Sequence, residues 1–165
     1  MALTDSQHDS LKEQLESLHG SCLYSAQAYF EAAKRAELWG RLMVFLPACV
    51  SAVSGFMASV GSGPKSFWGA VAAIAGSIAA TASFLGATKK ATDFLSSARS
   101  YTILRHKVKL ELRFLSADAG VSFQDARGRV EELNNEYTQI VASDVPVPNR
   151  SFNAASNRIG QGMTS

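Results

Sequence analysis

Charged side chains are absent from the middle of this 165-residue chain. Residues 42–64 and 66–88 contain none, and Lys65 alone separates the two stretches, each of which is 23 residues long. A helix of about 20 residues crosses the hydrocarbon core of a bilayer, which is about 30 Å thick. Residues 60–65 are rich in glycine, serine and proline and can reverse the chain. The sequence therefore predicts a transmembrane hairpin, with spans at about 42–62 and 66–88.

Side chains that catalyse reactions or hold metal ions are also few. The two cysteines and three histidines are scattered, and none of them has a metal-ligand spacing. The thiol of Cys49 is the only ionisable group inside the two spans, which argues against a proton relay or an ion-coupled transporter. The net charge of +2 is too small to indicate a nucleic-acid-binding protein. We therefore expect no enzymatic activity, no cofactor, no metal and no nucleic-acid partner.

Basic residues flank the predicted hairpin at both of its ends. Such residues accumulate on the cytoplasmic side of a membrane, whereas the predicted turn holds Lys65 alone. Both termini are therefore expected in the cytoplasm, in a protein that crosses the inner membrane twice. The N-terminus does not read as a signal peptide, because acidic residues stand where a basic region and an apolar core are needed. The flanking basic residues are Lys34, Arg35 and Arg41 before the first span, and Lys89, Lys90, Arg99 and Arg105 after the second.

The helical faces of the second span differ in the size of their residues. One of its helical faces consists only of glycine, alanine and serine, and the first span offers small residues at four-residue spacing. Small residues let two helix backbones approach closely, which favours helix association in lipid. The pattern predicts a packing seam that either assembles hairpins or packs one hairpin internally. Its members are Gly69, Ala72, Gly76, Ala79, Ser83 and Gly86 in the second span, and Ser51, Gly55 and Ser59 in the first.

A third face of the second span carries hydroxyl groups. Its candidate pore-lining residues are Ser77, Thr81, Phe84 and Thr88. If this face lines a water-filled path, Phe84 provides a hydrophobic constriction near the cytoplasmic end. The alternative is that the hydroxyls bond to carbonyls of their own helix and that Phe84 is an interfacial anchor.

Beyond the hairpin the chain becomes polar but keeps helical periodicity. The pattern predicts cytoplasmic helices at about 89–116 and 122–142, each with one buried face. Ser122 and Asp125 form a capping pair at the start of the second of these helices. The residues assigned to packing between helices are Tyr101, Leu104, Val108, Val130, Leu133, Tyr137 and Ile140.

The two ends of the chain are assigned separately. Residues 1–20 are acidic and carry a leucine stripe, so they are predicted to form an N-terminal helix. Gly20 interrupts the stripe, so two helices or one kinked helix fit the pattern. From residue 149 we expect a largely mobile tail, in which Phe152 and Ile159 are candidate docking residues.

Basic residues also cluster between Arg105 and Arg113. This cluster fits an anionic lipid or a nucleotide ligand. The pattern favours the simpler interpretation, a solvated helix face near an anionic membrane surface.

The order of these elements points to a known family. The residues that carry the likeness are Tyr24, Phe30 and Ala33, then Lys89-Lys90-Ala91, Tyr101 with Leu104-Arg105, and Leu133 and Tyr137 before Pro146-x-Pro148. With these residues the chain resembles the SLATT family, two-transmembrane effector domains associated with nucleotide-signalling and SLOG-type sensors in bacteria. The resemblance covers residues 21–160 and leaves residues 1–20 and the tail 161–165 outside it.

The pattern predicts an all-α membrane protein, a two-helix transmembrane hairpin with long cytoplasmic helical extensions. The resemblance implies a homo-oligomeric, pore-forming or membrane-disrupting effector in antiviral defence by abortive infection. Its partners are then the lipid bilayer, further copies of itself, and a separately encoded sensor protein or a nucleotide signal. The competing hypotheses are a non-conducting membrane scaffold that recruits a cytosolic partner, and a soluble helical bundle that buries the apolar hairpin.

Overall fold

The computed structural model describes residues 4–60, 64–84, 89–117 and 122–162, and every regular element in these ranges is an α-helix. The all-α prediction is therefore confirmed for the described residues. The predicted turn residues 61–63 lie outside these ranges. The helices are α1 (Asp5–Val60), α2 (Lys65–Phe84), α3 (Lys89–Ala117), α4 (Phe123–Ser143) and α5 (Asn149–Gly160).

Helix α1 continues without a break through Gly20 and Pro47. An exposed glycine costs a helix about 1 kcal/mol relative to alanine, and the 56 residues of α1 tolerate that cost. The structure thus has one helix where the sequence allowed two. Pro47, which the sequence analysis did not weigh, has no N–H to donate to the carbonyl of Met43. The helix continues past Pro47 without the hydrogen bond that another residue would supply there.

The chain divides into two compact units, Met1–Ala32 with Phe94–Ser165 and Ala33–Asp93. The first unit combines the start of α1 with most of α3 and with α4 and α5. The leucine stripe of residues 1–20 packs against α3 and α4 in its core, so no structural boundary falls at residue 20. The core residues are Leu11, Leu15, Leu18 and Cys22 from α1, Leu104, Val108 and Leu115 from α3, and Ala126, Val130 and Leu133 from α4.

Polar contacts fix the register of α3 and α4 within the first unit. The Lys107 ammonium donates to both carboxylate oxygens of Glu136, at 2.7 and 2.9 Å. The Arg129 guanidinium donates to Glu111 at 3.0 Å. Exposed ion pairs of this kind contribute only about 0–1 kcal/mol each. The apolar core therefore supplies most of the stability of this helix pair.

The start of α4 follows the predicted capping pattern. The Ser122 hydroxyl accepts a hydrogen bond from the Asp125 backbone N–H at 3.2 Å and donates to the Asp125 carboxylate at 2.7 Å. The cap satisfies one of the N–H groups that every helix start leaves without a partner. The predicted capping pair is confirmed, and α4 begins one residue later than predicted, at Phe123.

The prediction of a largely mobile tail from residue 149 is wrong, because residues 149–160 form α5. The ring of Phe152 stacks on Tyr24 of α1 with 5.9 Å between ring centroids. The Tyr24 hydroxyl also donates to the Phe152 carbonyl at 3.0 Å. Arg158 pairs with the buried carboxylate of Glu31 at 2.9 Å. These contacts dock α5 on α1, and docking stabilises a 12-residue helix that is marginal by itself.

The second unit, Ala33–Asp93, contains the rest of α1 and all of α2. One window that is long and apolar enough to cross a membrane lies in α1, and a second lies in Lys65–Ser116, which begins with α2. Only 6% and 7% of the residues in these two windows are buried. In a soluble protein, a core helix of this composition is mostly buried. This unit therefore holds the feature of the chain that most needs a functional explanation.

Candidate functional site

The second unit presents large apolar side chains on its outside. They are spread over α1 and α2 rather than grouped on one patch, and each is between 38% and 91% exposed. The exposed residues are Leu38, Trp39, Leu42, Met43, Phe45, Leu46, Val50, Val53, Phe56, Met57 and Val60 in α1, and Phe67, Ile74, Ile78 and Phe84 in α2. Monomeric soluble proteins rarely expose so many large apolar side chains on two neighbouring helices.

Helices α1 and α2 contact one another through small residues. The Ser51 hydroxyl of α1 donates to the carbonyl of Ala72 in α2 at 2.9 Å. A Cβ atom added to Gly76 would lie 3.2 Å from the Ser51 hydroxyl oxygen. Ser54 and Ala75 are buried beside this contact. Small and polar side chains therefore form the contact between α1 and α2 in this part of the second unit.

Only part of the predicted packing seam meets in this contact. Ser51, Ala72 and Gly76 come together, and Ala79 is half-buried. The other described members do not join them. Gly55 and Gly69 have open space where a Cβ would lie, Ser59 donates to the Phe56 carbonyl of its own helix, Ser83 is exposed, and Gly86 lies outside the described residues.

The candidate pore-lining hydroxyls bond to their own helix. Ser77 donates to the Ala73 carbonyl and Thr81 donates to the Ser77 carbonyl, both at 2.8 Å. Both residues are exposed, as is Phe84, whose side chain is 91% exposed. Thr88 lies outside the described residues. The hydroxyl face therefore remains on the outside of the helix pair, with its donors already used within α2.

The residues assigned to packing between cytoplasmic helices pack within one chain. Leu104, Val108, Val130 and Leu133 belong to the core of the first unit, and Tyr137 and Ile140 pack against it. Tyr101 is buried between Tyr29 and Tyr137, with ring centroids 5.5 and 5.9 Å away. The buried members of this set are therefore not available to a partner, whereas Tyr137 and Ile140 are partly exposed.

The sequence analysis missed a polar cluster that joins α1, α3 and the residues before α5. The Tyr29 hydroxyl donates to the Val145 carbonyl at 3.0 Å. Burial raises the pKa of both Tyr29 and Tyr101, and the neighbouring Asp144 carboxylate, which interacts with both hydroxyls, raises each further. Both phenols therefore stay neutral at physiological pH and act as hydrogen-bond donors. A pattern of aromatic spacing cannot reveal this cluster, because its members come from three distant segments.

Tyr29→Phe should loosen the segment that leads into α5. The substitution keeps the ring but removes the hydroxyl that serves Val145 and Asp144, so we expect a loss of about 1–2 kcal/mol in the free energy of unfolding. Limited proteolysis followed by mass spectrometry should then show faster cleavage between residues 144 and 148. Tyr137→Phe is the control, because among the described residues its hydroxyl makes no hydrogen bond. Equal cleavage of the two variants would contradict the assigned role of Tyr29.

The described part of the chain holds no cluster of metal-ligating side chains, and of its two free thiols Cys22 is buried and Cys49 is exposed. Within these residues no three side chains of His, Cys, Asp or Glu lie close enough to share a metal ion. Burial raises the pKa of the Cys22 thiol to about 11, so it stays protonated near neutral pH and behaves as a core residue.

No family model, curated protein or solved structure matches this chain. The resemblance to the SLATT family therefore depends on the residues named above. Among these, Tyr24 contacts Phe152, and Tyr101, Leu104 and Leu133 lie in the interior of the first unit. The features available for a functional assignment are thus the exposed apolar helix pair and the charged surface of the first unit.

Proposed function

We propose that this chain is an oligomeric inner-membrane protein whose assembly permeabilises the bilayer. The exposure of large apolar side chains around both α1 and α2 carries the proposal. In water such a surface is strongly unfavourable, at about 25 cal/mol for each Å² of apolar area. In the hydrocarbon core of a bilayer the same surface contacts apolar lipid chains, so this cost does not arise. The two helices then cross the membrane as a hairpin, with both termini in the cytoplasm.

Assembly is supported by the small residues that α1 leaves uncovered on α2. Gly69, Ala73 and Ala80 are exposed, and Gly69 has no neighbouring atom within 4 Å of its Cβ position. In lipid, small residues at a helix surface allow a second helix to approach closely. The uncovered residues of α2 therefore suit contacts between hairpins, while Ala72 and Gly76 serve the contact within one hairpin.

The biological role in this proposal comes from the resemblance to the SLATT family. It is permeabilisation of the membrane in bacterial antiviral defence, which arrests or kills the infected cell. A separately encoded sensor protein or a nucleotide signal then triggers the assembly. The absence of ionisable groups other than the Cys49 thiol in the two spans fits passive permeabilisation and not coupled transport.

Expression of the activated chain should dissipate the membrane potential and stop growth. A potential-sensitive dye in expressing cells provides the measurement. The control is Ile78→Lys, which places a charge in the middle of α2 at an insertion cost of about 3 kcal/mol. After an alkaline wash this variant should be absent from the membrane fraction, and it should no longer affect the membrane potential. An unchanged potential in cells that hold the inserted wild-type chain would contradict the proposal.

The membrane scaffold is the second candidate, and the hydroxyl geometry favours it. Ser77 and Thr81 already donate within α2, so no spare donor faces a path. The double variant Ser77→Ala with Thr81→Val distinguishes a pore from a scaffold. The double variant should change the rate of dye or ion release if this face lines a pore, and should be silent in a scaffold. A charge at Leu133 cannot separate them, because Leu133 lies in the core of the first unit.

A further inference from the structure

We propose that neighbouring copies of this chain dock through opposite charges, with the acidic surface of α1 in one copy against the basic surface of α3 in the next. The inference rests on the proposed function, since it places the copies in one bilayer with the same orientation. The acidic surface consists of Asp5, Asp9, Glu13 and Glu16, and the basic surface consists of Arg99, His106, Lys109 and Arg113.

The acidic surface lies on the outer side of α1. All four carboxylates are exposed, whereas Leu11, Leu15 and Leu18 of the same segment are buried. Lys12 is the only lysine or arginine between Asp5 and Glu16. Within the described residues, the one ion-pair contact to this surface is His8 to Asp9 at 3.8 Å, which requires a protonated histidine. Glu13 and Glu16 are therefore available to an outside cation.

The basic surface lies on the outer side of α3. Arg99, His106, Lys109 and Arg113 are exposed, whereas Lys107 is already paired with Glu136. In the part of the chain that the structure describes, no ion pair engages Lys109 or Arg113. Burial lowers the pKa of His19, and the positive charges of Arg105, Lys109 and His106 lower it further. The α3 surface thus carries positive charge that nearby carboxylates do not balance.

The two surfaces overlap in level where Glu13 and Glu16 of α1 lie beside the end of α3 that carries Lys109 and Arg113. The His8 ring nitrogen is 3.0 Å from the Leu115 carbonyl, and the Tyr29 ring stacks on Tyr101. Helices α1 and α3 therefore run side by side in opposite directions, with Glu13 and Glu16 at about the levels of Arg113 and Lys109. Copies that share one orientation keep these levels, so the carboxylates of one copy meet the cations of its neighbour.

Apolar side chains beside the basic surface add contact area to this interface. Ile103, Leu110 and Phe114 are 58%, 53% and 58% exposed on α3. Their seven- and four-residue spacing puts them on one side of the helix. In such an interface the charges select the partner and its register, and the apolar residues supply most of the affinity.

Charge reversal tests the interface directly. The acid-reversed variant is Glu13→Lys with Glu16→Lys, and the base-reversed variant is Lys109→Glu with Arg113→Glu. Each variant alone should associate about tenfold more weakly or worse in detergent, because like charges then face each other. Subunit number is read by native mass spectrometry and by crosslinking. A mixture of the two variants should assemble again, because each supplies the charge that the other lost.

A variant with the same change in net charge on another helix is the control. Glu131→Lys with Glu132→Lys alters exposed residues of α4 and should leave the subunit number unchanged. Loss of assembly in the base-reversed variant only would show that an anion other than α1 binds α3, and would overturn the inference. A monomeric wild-type chain, or a mixture that stays dissociated, would overturn it as well.

The same variants separate this inference from the proposed function. If assembly follows the charges while the membrane potential of wild-type cells stays intact, the interface stands and permeabilisation fails. If the potential collapses in both reversed variants and both assemble normally, permeabilisation stands and the interface fails.

Discussion

Gly76→Leu is expected to force α1 and α2 apart, whereas Gly69→Leu should leave them in contact. A Cβ at position 76 already lies 3.2 Å from the Ser51 hydroxyl oxygen, so the further atoms of leucine have no space. Overpacking of this kind costs about 1–3 kcal/mol, and here it also breaks the bond from Ser51 to the Ala72 carbonyl. We expect loss of the effect on membrane potential with normal recovery in the membrane fraction.

The control position has the same residue type in the same helix. Gly69 has no atom within 4 Å of its Cβ position, so a leucine side chain begins in open space within one copy. Thermal unfolding in detergent provides the measurement, with Ser51→Gly added to Gly76→Leu as a suppressor that restores space. Equal destabilisation by leucine at 69 and at 76 would show that the two helices do not pack as described.

Leu104→Ala should destabilise the first unit by about 2–5 kcal/mol, because it removes three buried carbon atoms and leaves a cavity. Leu104 of α3 is fully buried, in the core that α3 forms with α1 and α4. Val141→Ala, at a side chain that is 48% exposed on α4, should change the free energy of unfolding by no more than about 0.5 kcal/mol. The free energy of unfolding of both variants is measured by chemical unfolding in detergent, with fluorescent labels on α3 and α4 as the probe. Similar values for the two variants would mean that Leu104 is not a core residue.

The helical elements follow closely from local patterns in the sequence. Apolar residues at three- and four-residue steps predict α3 and α4 to within one or two residues of their observed ends. Capping at Ser122 is likewise a local property, because the hydroxyl and the N–H that it serves are three residues apart. Features of this kind need no knowledge of distant contacts.

The contacts between distant segments are less accessible from the sequence. Small-residue spacing places Gly69 and Gly76 on one face, yet only Gly76 meets Ser51, because spacing along a helix does not fix how its neighbour crosses it. Helix α5 was missed because its stability depends on Tyr24 and Glu31, more than a hundred residues earlier. The charged surfaces are visible in the sequence, but their common level emerges only once α1 and α3 are paired.

The first unit is assembled from both ends of the chain, and this has a consequence for biosynthesis. His8 and Leu115 meet across 107 positions, and the apolar helices of the second unit lie between them in the sequence. The ribosome therefore releases the leucine stripe of α1 long before α3 and α4 exist to cover it. Synthesis of the apolar helices thus precedes closure of the core of the first unit. A chain that stalls between these steps exposes Leu11, Leu15 and Leu18 to chaperones and proteases.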